Sequence, residues 1–180
     1  MRLVHNSCTH LLKMRYVFVY GTLKQGEPNH YLLENQTNGV GTYIGMAKTV
    51  KEFPLVIASR YNIPYVLDCP GKGLHIEGEI YRYIPKIYGN ALFMFGCSVD
   101  DAMLVHLDKL EDSPVYYTRT AETFQVTRID HNDDDQDISA GDVIEGDIYL
   151  LKNYRQELLQ LDFLSKYSGQ NELGKTYVKP

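Results

Sequence analysis

Short β-forming runs, broken at close intervals by turn residues, dominate the chain. Residues 16–20 (YVFVY) are β-branched or aromatic throughout, and Gly21 ends the run before the polar KQGEPN segment. Comparable runs recur at 42–50, 55–59, 65–67 and 75–83, separated by the turn-rich NIP and CPGKG segments, and two more follow at 116–128 and 143–151. Runs this short cannot bury their apolar faces alone. Their spacing predicts a curled, mostly antiparallel sheet or a small barrel. A helix or turn is expected over 28–34, and one good helix over 98–112 (SVDDAMLVHLDKLED), with Ser98 as N-cap and Asp101 three residues on. EGEIYRY at 77–83 and EGDIYLL at 145–151 are alike, but two similar strands do not make a repeat architecture.

Size and charge bound what such a sheet can serve. At 180 residues the chain is one domain, and a net charge of −5 supplies no field for nucleic acid or an acidic membrane surface. Its apolar runs are far too short to span a bilayer. Cys8, Cys69 and Cys97 are odd in number and widely spaced, which fits neither a disulfide framework nor a zinc site, so a reduced, cytoplasmic setting is expected. Residues 1–14 read as a frayed N-terminal extension, with Met14 an alternative start; His5, Cys8 and His10 lie on it and are not taken as ligands. Residues 15–180 then form the single domain. The acidic stretch 130–142 spaces Asp133, Asp135 and Asp137 like a calcium loop. Ile138 replaces its glycine and Ile144 its bidentate Glu, so a solvated hairpin connection is expected there. Fifteen Tyr beside six Phe point to half-wet aromatics lining a cleft.

Chemistry can sit in two places. On a helical wheel with Met103 at zero, Leu107 falls near about 40° and Leu110 near about −20°, which sets the buried stripe. Glu111, near about 80°, lies on its border, while Asp108 and Asp112 turn to solvent. Partial burial and the negative end of the helix both raise the pKa of Glu111, as a proton-transfer group near neutral pH requires. A rim carboxylate hydrogen-bonded to a neighbouring loop fits the same position, and periodicity alone favours it. The second place is the strand exit Tyr20, Gly21, Thr22, Leu23. A glycine there permits unusual φ angles and close ligand approach, so that successive N–H groups can cradle a carboxylate; a plain strand end fits equally. Cys97 beside Ser98 has only His106 on the same helix, more than two turns away, and is read as an inert thiol. No G-x-S-x-G, Walker A or H-E-x-x-H is present.

The run VFVYGTLKQGEPNH at 17–30 resembles the opening strand and loop of the γ-glutamyl cyclotransferase family, in its γ-glutamylamine branch. PLVI at 54–57, YNIPY at 61–65, EGEIY at 77–81 and LDKLEDSP at 107–114, with Tyr117 and Arg119, follow in the family's order. The resemblance implies an α+β fold, a small mostly antiparallel β-barrel flanked by short helices. It also implies release of 5-oxoproline and a free amine from γ-glutamyl compounds, with no cofactor and no metal. The implied partner is a small-molecule γ-glutamyl substrate, in this branch an isodipeptide such as γ-glutamyl-ε-lysine. By the same resemblance the catalytic acid falls on Glu111 and the carboxylate-binding loop on Tyr20, Gly21, Thr22 and Leu23; Tyr117 orients Glu111, lines the pocket or packs in the core. The chain departs from the family in an apolar insert at 82–97, which reads either as a lid or specificity element or as a splice or gene-model product. Other γ-glutamyl amino acids as substrates, or a non-catalytic binding role, stand as alternatives.

Overall fold

The computed structural model describes residues 15–35, 37, 41–83, 102–130, 138–169 and 176–179. Five strands close into a barrel in the order β1-β5-β2-β6-β7: β1 (Arg15–Val19), β2 (Gly41–Thr49), β5 (Glu77–Tyr83), β6 (Tyr117–Ile129) and β7 (Val143–Leu151). Strands β3 (Leu55–Ala58) and β4 (Ile63–Val66) form a separate antiparallel hairpin. Pairing is antiparallel except between β1 and β7, where Val17 faces Asp147 in parallel register. Helix α1 (Tyr31–Glu34) follows β1, α2 (Ala102–Leu110) precedes β6, and a 3-10 turn spans Gln156–Gln160. The predicted strands all form, with ends shifted by at most a few residues, as hydrogen-bond registers allow.

The run YVFVY is apolar throughout because both faces of β1 are covered. Phe18 points into the barrel and stacks on Phe124, with ring centroids 4.5 Å apart. Val17 and Val19 point outward, under Met103, Leu104 and Leu107 of α2. The same alternation runs through β7, where Ile148 and Leu150 join the barrel core and Tyr149 and Leu151 the layer beneath the helix. Burying each such side chain stabilises the fold by about 1.5–3 kcal/mol, so the helix is held by its contacts with the barrel more than by its own propensity.

The two similar strands flank β1. EGEIY lies in β5 on one side and EGDIY in β7 on the other. Their glycines have one physical role: a Cβ on Gly78 would stand 2.5 Å from the Val19 carbonyl oxygen, and one on Gly146 would stand 2.9 Å from that of Tyr16. Only glycine lets β1 come so close on both sides.

The N-terminal extension, Ser98, Cys97, Asp101 and the calcium-like aspartates lie outside the described residues, as does the insert beyond Tyr83. Arg82 and Tyr83 themselves complete β5, pairing with Thr42 and Gly41 of β2. Among the described residues no helix is long and apolar enough to cross a membrane.

Candidate active site

The end of α2 is fixed by a two-bond cap. Asp112 takes the left-handed conformation (φ 48°), its N–H donates to the Lys109 carbonyl at 3.3 Å, and the Ser113 N–H donates to the Asp108 carbonyl at 2.8 Å. This is the Schellman arrangement, which makes Glu111 the C-cap of the helix, and Pro114 stops any continuation. Glu111 keeps the helical bond from its N–H to the Leu107 carbonyl, 2.9 Å. Its side chain therefore projects from a fixed point above the strands.

The buried stripe of α2 differs in phase from the one expected. Met103, Leu104 and Leu107 are buried, whereas Leu110 is 43% exposed. The stripe is thus centred near about 50° on the wheel, because the barrel packs against the Leu104 side. That rotation takes Glu111 from the border of the stripe into it. It also turns Asp108 inward, where the Tyr149 phenol donates to its Oδ1 at 2.7 Å and Arg119 pairs with it at 3.0 Å. Arg119 reaches on to Asp147 at 3.3 Å. Asp112 is exposed, as expected.

The Glu111 carboxyl makes no hydrogen bond or ion pair with any described residue, so the rim carboxylate tied to a loop is not what forms. Although the residue keeps some exposure at the pocket mouth, the carboxyl itself is enclosed by apolar and aromatic groups, and burial pushes its pKa up to about 7. Burial suffices as the cause. The nearby negative charge in turn helps hold the phenols of Tyr20 and Tyr117 well above their usual range, with desolvation the larger cause for each.

Across the pocket from Glu111 lies the turn that leaves β1. The Tyr20 phenol donates to the Tyr149 carbonyl at 2.9 Å, anchoring the start of the turn to β7. Gly21 does not use a positive φ. It is there for space, since a Cβ would meet Cγ of Pro64 at 3.0 Å. The N–H groups of Thr22 and Leu23 donate to no described residue, while the turn around them is braced on every side. Asn29 donates to the Thr22 hydroxyl at 3.0 Å, His30 Nδ1 lies 3.0 Å from the Leu23 carbonyl, and the Gln25 N–H donates to both oxygens of buried Glu79, at 3.1 and 3.0 Å. The Tyr81 phenol donates to Glu79 at 2.8 Å from the other side. Free donors on a rigid turn suit an anionic group such as a carboxylate.

One pocket of about 470 Å³, solvent-open space included, unites Tyr20, Gly21, Thr22, Leu23, Glu111 and Tyr117. Tyr117 does not reach Glu111 with a hydrogen bond; its phenol lies 3.5 Å from the Pro64 carbonyl and its ring stacks on Tyr65 at 6.0 Å. It lines the pocket and packs in the core at once. Ile63, Pro64, Leu107 and Tyr149 also line the pocket and were not anticipated as site residues. The NIPY run, with a proline flanked by apolar residues, is the one local signal that bears on two of them. Among the described residues no group of His, Cys, Asp and Glu is arranged to hold a metal ion. The arrangement can hold an anion at the turn and move a proton at Glu111 within the same pocket.

Residues 17–168 match the family model described as gamma-glutamyl cyclotransferase, AIG2-like. The chain is 38% identical over 156 residues to a putative gamma-glutamylcyclotransferase of Drosophila melanogaster, covering 87% of this chain and 82% of that one. It is 37% identical over 164 residues to the gamma-glutamylaminecyclotransferase of Mus musculus, covering 91% and 96%. A crystal structure of an AIG2-like protein from Mus musculus superposes with a TM-score of 0.75 at 35% identity, covering 93% of this chain and 97% of the other. The chain belongs to the AIG2-like gamma-glutamyl cyclotransferase family of enzymes.

Proposed function

We propose that the protein is a γ-glutamylamine cyclotransferase that releases 5-oxoproline and a free amine, lysine, from isodipeptides of the γ-glutamyl-ε-lysine type. The observation that carries this reading is the Glu111 carboxyl, unpartnered among the described residues and with a pKa of about 7, in one pocket with the Thr22 and Leu23 N–H groups, which donate to no described residue. The relatives that carry the amine cyclotransferase name support the choice of substrate.

The turn grips the α-carboxylate of the glutamyl group through the N–H groups of Thr22 and Leu23. Gripped there, the glutamyl chain folds so that its α-amine faces its own δ-carbonyl. The nucleophile is intramolecular, and the enzyme's main contribution is to hold this near-attack geometry. Glu111 takes a proton from the α-ammonium, the amine nitrogen bonds to Cδ, and the bond from Cδ to the departing nitrogen breaks as Glu111 returns that proton to it; the second proton shed by the ring nitrogen ends on the released amine, which leaves as an ammonium. A carboxyl with a pKa near 7 is suited to both transfers. Tyr20, Tyr117 and Tyr149 enclose the site and keep Glu111 desolvated.

A second reading, cyclotransfer from other γ-glutamyl amino acids, draws support from the Drosophila relative. Incubating the purified protein with γ-glutamyl-ε-lysine, γ-glutamyl-alanine and glutathione in parallel, and quantifying 5-oxoproline, separates the two. The proposal expects the highest kcat/KM with γ-glutamyl-ε-lysine. A preference for γ-glutamyl-alanine or glutathione overturns the substrate assignment, and no 5-oxoproline from any of the three overturns the reaction.

A further inference from the structure

Glu111 lines two spaces. Together with Thr22, Ile63 and Tyr117 it also borders a wider cleft of about 1030 Å³, solvent-open space included, on the side away from the barrel core. Three separate parts of the chain wall this cleft with aromatic and apolar groups: Tyr61 from the β3–β4 turn, Leu110 and Tyr116 from the junction of α2 with β6, and Tyr177 from near the C-terminus. Leu110 is 43% exposed and Tyr116 49% exposed, so both present apolar surface at the mouth instead of burying it. Tyr65, Tyr116 and Tyr117 form a continuous aromatic patch, with Tyr116 edge-on to Tyr117 at 5.3 Å and 6.4 Å from Tyr65.

The C-terminal wall is tied in place. Asn62 Nδ2 donates to the Thr176 carbonyl at 2.7 Å, and the Val178 N–H donates to the Tyr61 carbonyl at 3.0 Å. These bonds bracket Tyr177 and set its ring at the cleft. No lysine or arginine lines this cleft among the described residues, so nothing in its walls favours an amine half of net negative charge over an alkyl one.

The position of Glu111 between the two spaces fixes what each must hold, given the reaction proposed above, on which this inference rests. The ring-forming half of the substrate lies against the Tyr20–Leu23 turn. The departing nitrogen must come within hydrogen-bond reach of Glu111 to receive its proton. Whatever that nitrogen carries therefore extends past Glu111 into the aromatic cleft. We infer that this cleft is the subsite for the amine half of the substrate, that its ligand is an alkyl chain of several methylenes, and that Tyr116 and Tyr177 determine specificity for it. Flat phenol faces cover methylenes without demanding hydrogen bonds from them.

A homologous series tests this: γ-glutamyl-methylamine, γ-glutamyl-propylamine and γ-glutamyl-hexylamine, each assayed for 5-oxoproline with wild type, Tyr116→Ala, Tyr177→Ala and Tyr177→Phe. In wild type kcat/KM rises by about two- to fourfold per added methylene. Each alanine variant lowers the hexyl-to-methyl ratio at least about tenfold, and Tyr177→Phe keeps it, because the ring face carries the contact. The ratio is insensitive to the fraction of folded protein, which scales both substrates alike. A flat series in wild type, or alanine variants with the wild-type ratio, overturns the subsite while leaving the reaction standing. No 5-oxoproline from any member of the series, nor from γ-glutamyl-ε-lysine, overturns the reaction and the subsite with it.

Discussion

Arg119 on β6 holds Asp108 on α2 at 3.0 Å, and Asp108 lies three residues before Glu111 on the same helix. The Tyr149 phenol on β7 donates to the same carboxylate, so two neighbouring strands grip the helix just before Glu111. The backbone of Tyr149 also receives the Tyr20 phenol, which anchors the Tyr20–Leu23 turn. Both sides of the pocket are thereby referred to one strand.

Arg119→Ala is therefore expected to harm activity more than stability. The pair is about 30% exposed on each side and is worth about 1 kcal/mol, a fall in Tm of about 2–4 °C for a chain of this size. Loss of the tether lets α2 shift, and a misplacement of about 1 Å at Glu111 costs up to about 100-fold in kcat. Parallel thermal melts and initial-rate assays check this. A loss of activity no larger than the loss of folded protein would assign the ion pair to stability alone.

Burial of Glu111 also makes a prediction about stability against pH. Its folded pKa of about 7 lies above the ordinary value of 4.5, so between those pH values the folded state binds more protons than the unfolded state. Stability contributed by this group is full below about 4.5 and is lost as pH rises through about 7, by up to about 3 kcal/mol. Glu111→Gln removes the ionisation, so the variant is expected to melt higher than wild type at pH 8 and to lose that advantage at pH 4.5. Melting curves of both proteins across this range give the answer.

The same titration shapes the rate. As a base in the free enzyme, Glu111 is active when ionised, so kcat/KM is expected to rise with pH through about 7 and then level off. A profile already flat from pH 5 upward would place the essential ionisation elsewhere.

Gly21→Ala tests the proposed carboxylate grip of the Tyr20–Leu23 turn without touching Glu111. The added Cβ meets Cγ of Pro64 at 3.0 Å, and the proline ring cannot rotate away. The turn is expected to move by a few tenths of an ångström, raising KM several-fold with a smaller change in kcat. Steady-state kinetics on γ-glutamyl-ε-lysine report the split.

The strands were legible in the sequence because β-branched and aromatic runs bounded by turn residues are local signals. The phase of α2 was not. Leu110 is apolar without being core, as it stands exposed at the aromatic cleft, and counting it as core turned the wheel away from Leu104. Asp108 read as a solvent-facing residue because its partners, Arg119 and Tyr149, come from other strands, 11 and 41 residues away. The sequence singled out Glu111 and the Tyr20–Leu23 turn separately, and that they line one pocket emerges only in the fold. Pro64, which sets the room at Gly21, becomes visible only once the β3–β4 hairpin folds over the end of β1.

The central claim is that the Glu111 carboxyl carries the proton in both directions. The most direct measurement is kcat/KM for 5-oxoproline release from γ-glutamyl-ε-lysine by wild type and by Glu111→Gln, with melting curves to show that the variant is folded. Glutamine keeps the shape of the side chain and removes its acid–base capacity, so a fall of at least about 100-fold in a fully folded variant is expected. A folded Glu111→Gln that retains the wild-type rate would contradict the mechanism.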